Sequence, residues 1–183
     1  LYMEEIKIAL EHEFCLLSQI DKKENLNYNS IKERAEEIVK IDDELVLYLN
    51  DSLNWVNSII DKRKSNGISY YGITIFQEEN IVMLREVILK WFELFMLAPE
   101  SIKITGGYDE KNKKYRIIKL NKKNICQSLK KLSEILEIAK NEGKVIFANC
   151  GGKDVIVYKG RFHYFGGVKM RDIGQMIYVL RYL

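Results

Sequence analysis

The chain opens with apolar residues three or four positions apart (Ile6, Leu10, Phe14, Leu17, Ile20), the spacing of one helix face over about Glu4 to Ile20. The polar stretch Asp21 to Asn29 reads as a loop. Ser30 followed by Glu33 forms a capping box, in which each side chain satisfies a backbone N–H at a helix start. From Ile31 a single stripe then runs through Ala35, Ile38, Leu45, Leu49, Val56 and Ile59 to about Lys62. Asp42 and Ser52 fall on that stripe. Either the helix breaks near Ile41–Asp43 or two polar side chains are partnered inside, and a break or bend is the favoured reading. Lys64 to Gly67 is a helix stop.

Beyond Gly67 the pattern changes. Ile68 to Phe76 is β-branched and aromatic and predicts a strand. Glu79 to Leu97 is apolar almost all round, as expected of a helix buried mid-domain, and Pro99 ends it. Ile102–Thr105 and Tyr115–Leu120 predict a hairpin. Asn121 caps a helix over about Lys122 to Glu142, whose stripe of Ile125, Leu129, Leu132, Leu136 and Ala139 is the cleanest in the chain; Gly143 supplies its left-handed stop. Lys144–Ala148 reads as a buried strand, Val155–Tyr158 and Arg161–Phe165 as a tight hairpin, and Arg171 to Arg181 as a last helix. The expected fold is therefore α+β: N-terminal helices plus an antiparallel or mixed sheet of about five to six short strands, covered by helices. A single domain is expected over residues 1–183, with an acidic helical front (about 1–66) and a basic α/β back (about 67–183).

Charge sharpens that division. Residues 1–100 carry 11 Lys+Arg against 19 Asp+Glu, net −8, while residues 101–183 carry 18 against 7, net +11. Separated charge of this size steers encounters with charged partners. One proline and 11 glycines leave no room for a flexible linker. Glu4, Glu5, Glu11 and Glu13 disfavour a secretory signal near the start, and Arg85, Glu86, Lys90 and Glu93 interrupt the most apolar run, Ile81 to Ala98. A cytoplasmic protein without membrane partners is expected. Cys15, Cys126 and Cys150 form no CxxC pair and read as free thiols.

Ordinary catalytic residues are scarce. Only two histidines are present, His12 and His163. A Cys150–His163 dyad with Gly151-Gly152 behind it is conceivable, but a buried thiol before a glycine turn is the favoured reading. His12 and Cys15 lie three apart on the predicted first helix, yet no third or fourth ligand is in sight, so no metal is expected. The pairs Gly106-Gly107, Gly151-Gly152 and Gly166-Gly167 match no phosphate-binding loop and read as turns. No enzymatic activity and no cofactor are expected.

Two charged surfaces remain. Glu33, Glu36, Glu37, Asp43 and Glu44 form an acidic helix surface suited to a basic protein partner. Lys113, Lys114, Arg116, Lys122 and Lys123, with Tyr108 and Tyr115 among them, form a basic hairpin surface suited to an acidic partner or to nucleic acid. Nucleic acid is disfavoured, because the acidic front opposes general affinity for polyanions.

The middle of the chain also carries a resemblance. Tyr70-Tyr71-Gly72-Ile73-Thr74-Ile75, Trp91-Phe92-Glu93-Leu94-Phe95 with Ala98-Pro99, Ile104-Thr105-Gly106, Tyr115, Lys119 and the helix bearing Leu129, Leu132 and Ala139 occur in that order. Over about residues 70–145 this resembles the small bacterial immunity proteins of polymorphic and contact-dependent toxin systems. The resemblance implies a cytoplasmic, non-catalytic protein that binds and neutralises one cognate toxin domain. It carries over no binding residue by motif.

Overall fold

The computed structural model describes residues 11–18, 28–60, 62–69, 73–109, 112–150, 155–158 and 161–164. The single body expected over residues 1–183 divides into two compact units, Leu1–Gly151 and Gly152–Leu183. The second unit shows one hairpin among its described residues. The first holds, among its described residues, four helices and the remaining strands, and the fold is α+β as expected.

The front half departs furthest from the helical reading. Glu11–Leu17 is a strand, β1, where the spacing predicted a helix. β1 is paired on both edges: antiparallel to β2 (Glu37–Asp42), with Phe14 opposite Val39, and antiparallel to β8 (Val145–Cys150), with Phe14 opposite Ala148. A strand buried on both faces has no polar alternation to betray it, and a run such as Phe14-Cys15-Leu16-Leu17 then satisfies a helical template equally well.

The long helix predicted from Ser30 to Lys62 is in fact four elements. Helix α1 (Tyr28–Arg34) starts before Ser30, so the capping box is not its N-terminus. β2 follows, then α2 (Asp43–Leu53), then strand β3 (Asn57–Ile60). The helix stops at Arg34, well before the break or bend expected near Ile41–Asp43, and resumes only at Asp43 after β2. Asp42 caps α2, its carboxylate accepting from the Glu44 N–H at 2.9 Å. Ser52 is partnered inside, its hydroxyl accepting from Trp91 Nε1–H at 2.9 Å and donating to the Leu49 carbonyl at 2.7 Å.

The supposed helix stop is strand β4 (Arg63–Asn66), paired with β3. Gly67 follows with φ +69°, a conformation that suits glycine. Of the strand predicted over Ile68–Phe76, β5 keeps Thr74–Phe76. Ile68 and Ser69 lie outside it, and residues 70–72 fall outside the described residues.

The back half follows its pattern closely. Helix α3 spans Glu79–Met96, β6 Ser101–Asp109, β7 Lys114–Asn121 and α4 Lys122–Glu142. Asn121 accepts from the Asn124 N–H at 3.1 Å at the start of α4, and Gly143 closes it with φ +65°. β8 runs two residues past the expected end. In the second unit β9 (Val155–Tyr158) pairs with β10 (Arg161–Tyr164). The predicted helix at 171–181 lies outside the described residues.

These strands make a six-stranded antiparallel sheet in the order β2-β1-β8-β5-β3-β4, and β6-β7 stands as a separate two-stranded ribbon. Alternation along β1 assigns the two faces of the sheet. Phe14 and Leu16 join the large core with Leu45, Leu84, Ile88, Leu129 and Leu136 of α2, α3 and α4. Cys15 and Leu17 turn to the other face, where Ile31 of α1 and Phe147 of β8 join them in a smaller core. Burying each large aliphatic side chain stabilises the fold by roughly 1.5–3 kcal/mol, so the helical face carries most of the stability.

Candidate functional site: an outward-facing basic ribbon

Two arrangements of charged and aromatic side chains stand out, one inside the sheet and one on the ribbon. The inner one starts from Glu13 on β1, whose side chain is buried. It accepts hydrogen bonds from the Tyr28 hydroxyl and, at 3.2 Å, from Lys32 Nζ; Lys40 Nζ lies 3.5 Å away. Burial by itself would raise the carboxyl pKa. The hydrogen bonds from Tyr28 and Lys32 and the charges of Lys32 and Lys40 outweigh it and hold Glu13 below the usual carboxylate range. Burial, and then the Glu13 charge, pushes the Cys15 thiol up to about 11, so it is inert at neutral pH. This cluster binds α1 to the sheet.

On the opposite face of β1, His12 is fully buried and Nε2–H donates to Asp43 Oδ1 at 2.8 Å. His12 and Cys15, placed together by the helical reading, project to opposite sheet faces because three residues along a strand reverse direction. Among the described residues no group of three potential metal ligands occurs. Cys150 ends β8 in one unit, and His163 sits opposite Ile156 in the hairpin of the other. Cys15 and Cys126 are free thiols.

The acidic five do not share a helix. Glu33 lies on α1, Glu36 in the turn after it, Glu37 at the start of β2, and Asp43 and Glu44 at the start of α2. The helical stripe that joined them was an accident of spacing: Ile38, Val39 and Ile41 are β-branched, and pairing with β1 makes them a strand. Three of the five are engaged internally. Glu36 accepts from Ser18 at 2.8 Å and pairs with Lys144 at 2.5 Å; these bonds, from Lys144 first, lower its pKa. Asp43 holds His12, and Glu44 pairs with Arg116 at 3.3 Å. Glu33 and Glu37 are exposed.

The basic five also divide. Lys113 and Lys114 sit at the ribbon tip, where Lys113 has φ +50° and Asp109 accepts from the Asn112 N–H at 3.0 Å. Lys122 and Lys123 begin α4 at the other end of β7, roughly 25 Å away along the strand. Arg116 turns to α2 and Glu44.

Between those ends the ribbon presents an orderly outer face. Lys103 stands opposite Lys119, Thr105 opposite Ile117, and Tyr108 opposite Tyr115. All six are exposed, Tyr115 by 62% and Ile117 by 61%. The Tyr108 and Tyr115 rings meet edge to face, 5.2 Å between centroids and 71° apart. A register shift between Thr105 and Tyr108 inserts one residue in β6 and brings Tyr108 to the same side as Thr105. The Gly106-Gly107 pair, expected to be a turn, lies inside β6 at this bulge. A Cβ on Gly106 would lie 2.7 Å from Ile118 Cγ1 and 3.2 Å from Glu44 Oε2, so a side chain there would have to displace Ile118 or the Glu44 carboxylate where the ribbon approaches α2.

Sequence reading singled out Lys119, Tyr108 and Tyr115 but passed over Lys103 and Ile117. Strict alternation along both strands was the signal that could have found them. Among the described residues no helix is long and apolar enough to cross a membrane. No protein-family model matches this chain, and no curated protein or solved structure is significantly similar to it.

Proposed function

We propose that this protein is a non-catalytic, immunity-type binding protein that neutralises a cognate toxin domain, and that the outer face of β6–β7 is its recognition surface. One observation carries the reading: Lys103 and Lys119 face each other directly on a solvated strand pair beside exposed Ile117, Tyr108 and Tyr115. Like charges in direct opposition destabilise a hairpin, and the exposed tyrosines and isoleucine leave apolar surface in water that the fold does not cover. An acidic partner relieves the first and buries the second. Tyrosine is enriched at protein interfaces and among the residues that dominate binding. With Glu36, Asp43 and Glu44 drawn into internal contacts, the ribbon rather than the acidic front is the preferred surface.

A second reading, single-stranded nucleic acid, draws on the tyrosine pair among lysines. The edge-to-face packing occupies one ring face that a base would need, and Ile117 at the centre suits a protein better.

Surface plasmon resonance at low and high salt, with a toxin domain encoded beside this chain's reading frame, tests the proposal. The expected result is a tight complex in which Ile117→Ala speeds dissociation and K103E/K119E slows association, most at low salt. Unchanged affinity in both variants removes the ribbon from consideration. Oligonucleotide binding that weakens steeply with salt transfers the surface to the second reading.

A further inference from the structure

The two strands of the ribbon are not equally covered. On the inner side of β6, Ile102 and Ile104 are 7% and 4% exposed. Leu120 and Ile118, their partners on β7, pack against the same core but stay half-buried. Among the described residues β7 is hydrogen-bonded along one edge only, to β6. Its other edge runs the eight residues from Lys114 to Asn121, with backbone donors and acceptors beside apolar side chains that the core leaves half-covered. An edge of this length is a template on which another strand can pair.

Charge along β7 selects the strand that fits. β7 carries Lys114, Arg116 and Lys119 and no carboxylate. Arg116 is taken by Glu44, while Lys119 stands opposite Lys103. A second copy of β7 would bring only further positive charge to this edge, whereas an acidic strand relieves what is there. We infer that the toxin partner adds a strand to the outer edge of β7, with a carboxylate beside Lys119 and apolar side chains beside Ile118 and Leu120. Side chains alternate along a strand, so these requirements fall on three consecutive residues, apolar–acidic–apolar, and the pattern reads the same in either chain direction. The carboxylate extends the Lys103–Lys119 row on the outer face, and the two apolar residues complete the core on the inner one. The inference rests on the toxin-binding reading and names the part of the partner that makes contact.

Titration of the full chain with a blocked peptide, Thr-Thr-Val-Glu-Val-Thr-Thr, followed by amide NMR at low salt, tests it. The expected result is saturable binding in which alternate amides along residues 114–120 shift and the peptide valine methyls show NOEs to Ile118 and Leu120. The same peptide with lysine in place of glutamate binds at least about fivefold more weakly, and Lys119→Glu reverses the order of the two. An unaltered circular dichroism spectrum confirms that the variant is folded. Binding of neither peptide, equal binding of both, or shifts confined to residues away from β7 overturns the inference. That failure differs from failure of the toxin reading. A toxin complex that Ile117→Ala weakens, in a chain whose β7 edge ignores the peptide, keeps the reading and removes the added strand. Peptide binding as expected with no toxin complex overturns the toxin as the strand's donor and leaves a site for an acidic strand.

Discussion

The Glu13 cluster and the β6–β7 ribbon are built from the same residue types and arranged in opposite ways. Around Glu13 a carboxylate, a tyrosine and two lysines converge until the buried charge is satisfied. On the ribbon two lysines confront each other while two tyrosines and an isoleucine face water. The first arrangement holds one segment of this chain to another. The second gains little from the fold and most from something outside it. Polar residues that stabilise a protein are therefore recognised by their partners, and polar residues that serve recognition by the absence of relief within the fold.

This contrast can be broken by substitution. The largest expected effect is at Glu13. Glu13→Ala removes the acceptor shared by Tyr28 and Lys32 and is expected to cost about 2 kcal/mol in urea unfolding. Glu13→Ala leaving stability unchanged removes the cluster from the account of how α1 is held.

The pH dependence follows with a definite sign. The Glu13 pKa lies below its ordinary value of 4.5, so the folded state binds fewer protons than the unfolded one in that region. Its contribution is complete above about pH 4.5 and is lost as pH falls through the depressed folded value. Wild type is expected to lose stability in acid more steeply than Glu13→Gln, measured by thermal melts from neutral pH downward. Parallel curves would assign the acid limb to other carboxylates.

Gly106→Ala is a smaller change. Its methyl must displace Ile118 or widen the gap to Glu44, at an expected cost of about 1 kcal/mol, and the tyrosine pair should separate with the bulge. Loss of the Tyr108–Tyr115 ring-current shifts in NMR, with the core signals unmoved, is the readout.

The smallest effect is expected on the ribbon face. Lys119→Glu replaces a like pair with an opposite one and should stabilise by about 0.5 kcal/mol or less, while Ile117→Ala stays within about 0.5 kcal/mol of wild type. Marked destabilisation by either would make the ribbon face structural and blur the contrast.

Elements whose signals are local can be read directly from the residue pattern. α3 and α4 show because a helix that packs on one side repeats every 3.6 residues, and the Asn121 cap and the Gly143 stop are chemical marks at its ends. The ribbon shows because one of its faces is wet and its residues alternate. Tertiary structure alone decided the front half. Glu11–Leu17 satisfies a helical template, and it is a strand because β2 and β8 take up its backbone hydrogen bonds on both edges. Glu37–Asp42 is a strand for the same reason, which scattered the acidic residues that spacing had gathered. The charge imbalance was legible in composition, but which charges are spent inside was not. That Arg116 is taken by Glu44 while Lys103 and Lys119 are left facing each other depends on contacts between residues far apart in the chain, and no local pattern encodes them.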